Sequence, residues 1–222
     1  MRIDILTLFP DMFTGFLNES IIKRAIEKQL VTIKVHNIRD YSPFKNKQVD
    51  DYSYGGGAGM VLMCEPIFRA VEALRTPESE VIMLTPSGTI FDQQLATTFS
   101  KKTHLILLCG HYEGFDERIK TIVDRTLSIG KFVLTGGEVP AMVITDAITR
   151  LIPGVINEES LASESFNDDF VDYPVYTKPA VFRNLEVPSV LLSGHHANIN
   201  KWREEQRIKL TNSKEGGNYG KM

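Results

Sequence analysis

Apolar positions along the chain switch between two periods. Ile3 to Leu8 is an apolar run closed by Pro10, the pattern of a buried strand. Met12, Phe13, Phe16, Leu17, Ile21, Ile22 and Ala25 then recur at helical spacing behind Asp11, a capping residue. Val31, Ile33 and Val35 alternate as a second strand. Ile67, Ala70, Val71 and Leu74 share one face of a helix over 65–74. Further strands are expected at 81–84, 105–109 and 132–134, with helices over 91–99, from Phe115 onward, and over 141–151 before Pro153-Gly154. Strands alternating with helices predict an α/β domain with a largely parallel sheet.

Two stretches fall outside this rhythm. Residues 37–59, NIRDYSPFKNKQVDDYSYGGGAG, are too long for an ordinary connection, and their aromatics and glycines predict a functional loop. After Gly154 the chain turns acidic and poor in apolar anchors. Residues 157–172 hold six acids and no base, and 156–172 reads as a mobile linker. Residues 173–192 are punctuated by proline, a last helix is expected over 197–210, and the tail SKEGGNYGKM should be disordered. The expected organisation is an α/β domain over 1–155, the linker over 156–172, and a small C-terminal domain over 173–222.

The candidate site is a set of glycine turns. GHYEG (110–114) follows one apolar run, TGGEVPA (135–141) follows another, and Ser128-Ile129-Gly130 lies between them. Ligands in open α/β sheets sit outside the carboxyl ends of the strands. Glycine turns there would present a wall of backbone that a flat ligand can approach closely.

Composition narrows the chemistry. The 222 residues are 42% hydrophobic and 24% charged, with a net charge of −3, so the molecule is no simple polycation. Its charge is uneven: seven Lys/Arg stand against two acids over 20–48, and Lys201, Arg203, Arg207 and Lys209 cluster in the last helix. Two distant cysteines, Cys64 and Cys109, without zinc spacing suggest a reduced compartment. MRIDILTLFP lacks a signal-peptide core, and no run approaches the ~18 apolar residues of a membrane helix, so a cytoplasmic, membrane-free protein is expected.

The dinucleotide G-x-G-x-x-G, the P-loop, H-E-x-x-H and G-x-S-x-G are all missing. The five histidines are scattered, and no metal set is expected. What remains is a glycine-rich α/β site without a dedicated nucleophile, flanked by basic segments. That suits transfer of an already activated group, such as the methyl of a sulfonium donor, onto a nucleic acid. On the residues alone it is one reading among several.

Longer motifs carry a resemblance. LTLFP (6–10), VDDYSYGGGAGMVL (49–62), LLCGHYEGFDER (107–118), SIGKFVLTGGEVPAM (128–142), RLIPGV (150–155), YPVYTKP (173–179) and VPSVLLSGHHANINKWR (187–203) stand in this order. Together they closely resemble the bacterial tRNA (guanine-N1)-methyltransferase family of the SPOUT class. The resemblance implies a parallel sheet with a C-terminal trefoil knot and a small, mainly helical C-terminal extension. It implies S-adenosyl-L-methionine as methyl donor, N1 of guanosine at tRNA position 37 as target, and the tRNA anticodon stem-loop as partner. A homodimer whose active sites lie at the interface is also implied, and Mg2+ is an optional helper. A non-catalytic binding relative and a SPOUT enzyme with another RNA target are the alternative readings.

Matched residue by residue, the donor-binding set would be Leu84 and Pro86, then Gly110, Tyr112, Glu113 and Gly114. From the stretch that joins the other two turns it would include Ser128, Ile129, Gly130, Lys131, Phe132, Val133, Leu134, Gly136, Gly137 and Pro140. Arg150 matches an arginine near the target base, and Asp172 an acid in the segment that orders on tRNA. The family's Asp-Ser-Phe, whose aspartate is the general base, reads Glu164-Ser165-Phe166 here, with Asp168 and Asp169 in reserve. The family's further helices beyond the Trp202 helix are replaced by SKEGGNYGKM, which implies a shortened tRNA-binding domain.

Overall fold

The computed structural model describes residues 1–157 and 170–215. Contacts divide the chain into two compact units, 1–157 and 158–222. In the first, five parallel strands form one sheet: β1 (Arg2–Thr7), β2 (Thr32–Asn37), β5 (Ser79–Ile90), β6 (His104–Cys109) and β7 (Arg125–Ser128). Their order is β2-β1-β6-β5-β7. Two-residue strands β3 (Asp50–Asp51) and β4 (Val61–Leu62) pair separately.

Both faces of the sheet are covered. Ile3, Ile5, Leu105, Leu107, Ile82 and Leu84 pack on one side against helices α2 (Ser20–Glu27), α4 (Gln93–Ser100) and α5 (Glu138–Thr149). Leu6, Ile106, Leu108, Val81 and Met83 pack on the other against α3 (Cys64–Leu74) and Ile38. A parallel sheet covered on both faces reads as near-continuous apolar runs, and β6 is buried at every position. Each fully buried Leu or Ile contributes about 1.5–3 kcal/mol of transfer free energy, so the sheet's centre anchors the site at its ends.

Several expected boundaries move. The helix expected from Asp11 to Ala25 is broken into a 3-10 turn (Pro10–Phe13), α1 (Thr14–Leu17) and α2. Asp11 does not cap it, and Ser20 takes a left-handed backbone (φ 54°) at the break. The strand expected to stop at Leu84 runs on to Ile90, with a register shift between Leu84 and Thr89. The helix expected from Phe115 is only a 3-10 stretch, Glu117–Thr121. The run 132–134 is not a strand: its side chains are exposed, and the edge strand is 125–128 instead.

In the second unit, β8 (Val181–Phe182) and β9 (Leu185–Glu186) form a hairpin. Its two-residue turn, Arg183-Asn184, has positive φ at both positions, as a type I′ turn requires. Helices α6 (Ser189–Leu192) and α7 (His196–Glu215) follow. Residues 170–176 lie along α7 with the Arg207 guanidinium over Phe170, that of Arg203 over Tyr173, and Trp202 beside Tyr176. Two of the four basic residues that cluster in this helix are thus stacked on aromatic rings.

Candidate active site

A cavity of about 380 Å³ opens at the carboxyl ends of β5, β6 and β7. That is the position the sheet's topology favours for a ligand, and its size suits a small organic molecule. Three chain segments line it. From β5 come Leu84 and Pro86; after β6 come Gly110, Tyr112, Glu113 and Gly114; after β7 come Ser128, Ile129, Gly130, Phe132, Val133, Leu134, Gly136, Gly137 and Pro140. Of the expected donor set only Lys131 is not among the lining residues.

The segments are tied together by backbone. Gly137 N–H donates to Gly110 O at 2.7 Å, so the start of α5 passes against the end of β6. A Cβ on Gly137 would stand 2.6 Å from Cys109 Cα and 2.7 Å from Gly110 N, a space no side chain can enter. The 110–116 turn is in turn stitched to the glycine loop. Glu113 N–H donates to Met60 O, Leu62 N–H to Gly114 O, and Asp116 N–H to Leu62 O. Tyr112 holds a left-handed backbone (φ 58°), which costs a non-glycine residue about 1–3 kcal/mol and recurs where loops are shaped for function.

Polarity is graded across the cavity. Phe132, Val133 and Leu134 expose apolar surface to it, which explains why 132–134 reads as a strand in sequence: its hydrophobicity lines the cavity wall, not the core. On another side, Arg118 hydrogen-bonds both oxygens of Asp116 and holds its carboxyl below the usual carboxylate range. Beneath the floor, burial pushes the Cys109 thiol up, with the Glu138 charge adding to it, so this cysteine stays an inert thiol. Glu138, first residue of α5, is itself buried and accepts a hydrogen bond from Thr7 Oγ1 at 2.7 Å.

The reading of the sequence missed His111, Asp116, Lys120 and Thr135, all of which line the cavity. Most sit inside or beside the same turns; the glycines were the signal, and the side chains between them carry none of their own.

The expected catalytic residues are placed less completely. Arg150 caps the C-terminal end of α5. Twelve helical residues separate it from Gly137, about 18 Å along the axis at the usual rise. One chain therefore does not bring Arg150 to its own cavity. Asp172 is an exposed residue of the second unit. Glu164, Asp168 and Asp169 lie outside the described residues. Among the described residues no three His, Cys, Asp or Glu side chains gather as metal ligands, and no helix is long and apolar enough to cross a membrane.

Comparison with known proteins gives these features a context. Residues 1–217 match the family model described as tRNA (Guanine-1)-methyltransferase TrmD. The tRNA (guanine-N(1)-)-methyltransferase of Ureaplasma urealyticum serovar 10 is 57% identical over 212 residues, 95% of this chain and 93% of the relative. The proteins of the same name from Dictyoglomus turgidum and Staphylococcus aureus strain JH9 are each 54% identical. They cover 95% and 96% of this chain, and 86% and 89% of their own lengths. A family match over nearly the whole length, with identities far above the level at which folds diverge, means that this chain belongs to the tRNA (guanine-1)-methyltransferase family.

Proposed function

We propose that the chain transfers the methyl group of S-adenosyl-L-methionine to N1 of guanosine at tRNA position 37, and that it does so as a homodimer in the cytoplasm. The observation that carries this reading is the cavity. The turns that the resemblance assigns to the donor converge on one site at the strand ends, where Gly137 lets the start of α5 pack directly on the backbone at Cys109 and Gly110.

When bound, the donor supplies an electrophilic methyl on a sulfonium, so the chain's own residues have to position it and handle one proton. Backbone at 84–86, 110–114 and 128–137 would hold the donor's flat adenosine moiety, and the exposed Phe132 and Leu134 would shield it from water. The N1–H of guanine is too weakly acidic to be lost freely at neutral pH. A carboxylate must take it as the methyl arrives, and Glu164 is assigned that role. The target base has to leave its stack to reach the methyl.

Arg150 and Asp172 act on the partner subunit's cavity in this reading. The 18 Å length of α5 supports the trans assignment for Arg150. Val139 and Val143 on α5, and Met12 on the 3-10 turn that contacts α5, expose apolar side chains that supply a face for the partner copy. The passage 129–137, which carries the chain from edge strand β7 back across β5 and β6 to α5, is assigned as the threading of the trefoil knot. The C-terminal unit, with Lys201 and Lys209 exposed on α7, is assigned to the anticodon stem-loop. A Mg2+ ion, if used, would be brought with the substrates.

The test is direct. Incubated with methyl-labelled donor and bulk tRNA, the protein should place label on N1-methylguanosine at position 37. Label in another nucleoside, or none, refutes the assignment.

A further inference from the structure

Two polar groups beneath the donor cavity face one gap. The Nδ1 atom of His111 is buried and has no hydrogen-bond partner among the described residues. Glu138 is 3% exposed, and its Oε1 already accepts from Thr7. A Cβ placed on Gly136 would stand 2.9 Å from His111 Nδ1 and 2.3 Å from Glu138 Oε2. Gly136, having no side chain, leaves open the space between imidazole and carboxylate. The imidazole is also held at its edges, by Phe9 and Tyr112 rings with centroids 4.9 Å and 4.8 Å away.

We propose that Glu138 is a positioning residue of the donor cavity, its Oε2 accepting a hydrogen bond from His111 Nδ1–H directly or through one water. A buried carboxylate needs more than one donor to offset its lost hydration, and a buried imidazole nitrogen needs a partner. Each group supplies what the other lacks. The consequence reaches the cavity, because His111 lines it. With Nδ1 carrying the proton, the neutral ring keeps Nε2 as an acceptor, and the tautomer and ring plane are set from below. Thr7 extends the chain to β1: its hydroxyl donates to Glu138 and accepts from Phe9 N–H at 2.9 Å. The loop after β6 and the start of α5 are then locked to each other by side chains as well as by the Gly137–Gly110 backbone bond.

This inference rests on the reading that the cavity takes the donor, and the experiment separates the two. In 15N-labelled full-length protein, two-bond 1H–15N correlation spectra report which ring nitrogen of each neutral histidine is protonated. The His111 signal is identified by its loss in His111→Asn. We expect the Nδ1–H form in the wild type, a shift toward the Nε2–H form in Glu138→Gln, and a donor affinity of that variant about tenfold weaker by calorimetry, since orientation of the cavity wall is lost. The wild-type spectrum needs no variant to fold. His111 in the Nε2–H form in the wild type overturns the proposal. So does a folded Glu138→Gln whose His111 tautomer or donor affinity is unchanged. Wild-type protein that binds no S-adenosylmethionine at all would instead overturn the reading of the cavity.

Discussion

Asp4 is a carboxylate with no exposed surface in the middle of β1, and it is tolerated because two imidazoles hydrogen-bond it and a guanidinium charge stands beside it. His36 Nε2 lies 2.7 Å from one oxygen, His104 Nε2 2.7 Å from the other, and Arg2 pairs with it at 2.6 Å. The far nitrogens of the two rings are fixed by Tyr41 and Ser79. Burial alone would raise the Asp4 pKa; His36, His104 and Arg2 reverse that and hold it below the ordinary value. A depressed folded-state pKa contributes stability that is present above the unfolded value and lost as pH falls through the folded one. Asp4→Ala leaves two rings and a guanidinium without their anion, and should cost about 3–5 kcal/mol. Measured by urea melts, the gap between wild type and Asp4→Ala should be full at neutral pH and shrink below about pH 4. A gap that stays constant down to pH 3 would refute the linkage. A second residue matters for activity rather than stability. Glu164→Gln should slow single-turnover methylation by about 10²–10⁴-fold. Glu164→Asp should stay within about tenfold, because it keeps the carboxylate and shifts it by about one methylene. Glu164→Gln at the wild-type rate would pass the role of base to Asp169.

At the scale of elements, the passage from β7 into α5 decides whether the cavity exists. Gly137 occupies the point where α5 begins against Cys109 and Gly110, with less than 3 Å available to any Cβ. Gly137→Val should abolish donor binding, and calorimetry on a variant shown to be folded by circular dichroism checks it; full affinity would mean that the turns do not frame the donor. This region also marks how far the sequence can be read. Core strands β1, β5 and β6 were legible because both faces of a parallel sheet are buried, leaving apolar runs bounded by turn residues. Strand β7 was not, because Arg125-Thr126-Leu127-Ser128 sits at an edge and buries little beyond Leu127 and Ser128. The neighbouring apolar run 132–134 imitated a strand because a cavity wall and a core select the same residue types. The broken helix over 10–27 failed for another reason. Its apolar spacing was right, but the left-handed Ser20 is a backbone event that periodicity does not encode. The cavity turns themselves were legible through their glycines, whereas Glu138, His111 and Thr7 meet only once three distant elements are assembled.

At the scale of the molecule, the separation between Arg150 and the cavity makes assembly the decisive question. Both are fixed to one rigid helix, Arg150 at its end and Pro140 in its first turn. No local rearrangement short of unfolding α5 brings the arginine back over its own cavity. A two-fold partner can supply it, and in a two-fold dimer each copy then lends Arg150 to the other's cavity. This arrangement makes a prediction that a self-contained active site does not. Arg150→Ala should inactivate the dimer by removing the lent arginine while leaving donor affinity intact; Gly137→Val should inactivate it by forcing the start of α5 off the end of β6 and so distorting the cavity, while leaving its arginine intact. Unfolded and refolded together in equal amounts, the two inactive proteins should recover about one quarter of the wild-type rate. Random pairing makes about half the dimers mixed, and each mixed dimer holds one complete site: the open cavity of the Arg150→Ala copy served by the arginine of the Gly137→Val copy. The mirror site in the same dimer lacks both. Activity that never rises above the sum of the two variants measured apart, in a mixture whose mixed dimers are confirmed by mass, would place Arg150 outside the partner's active site.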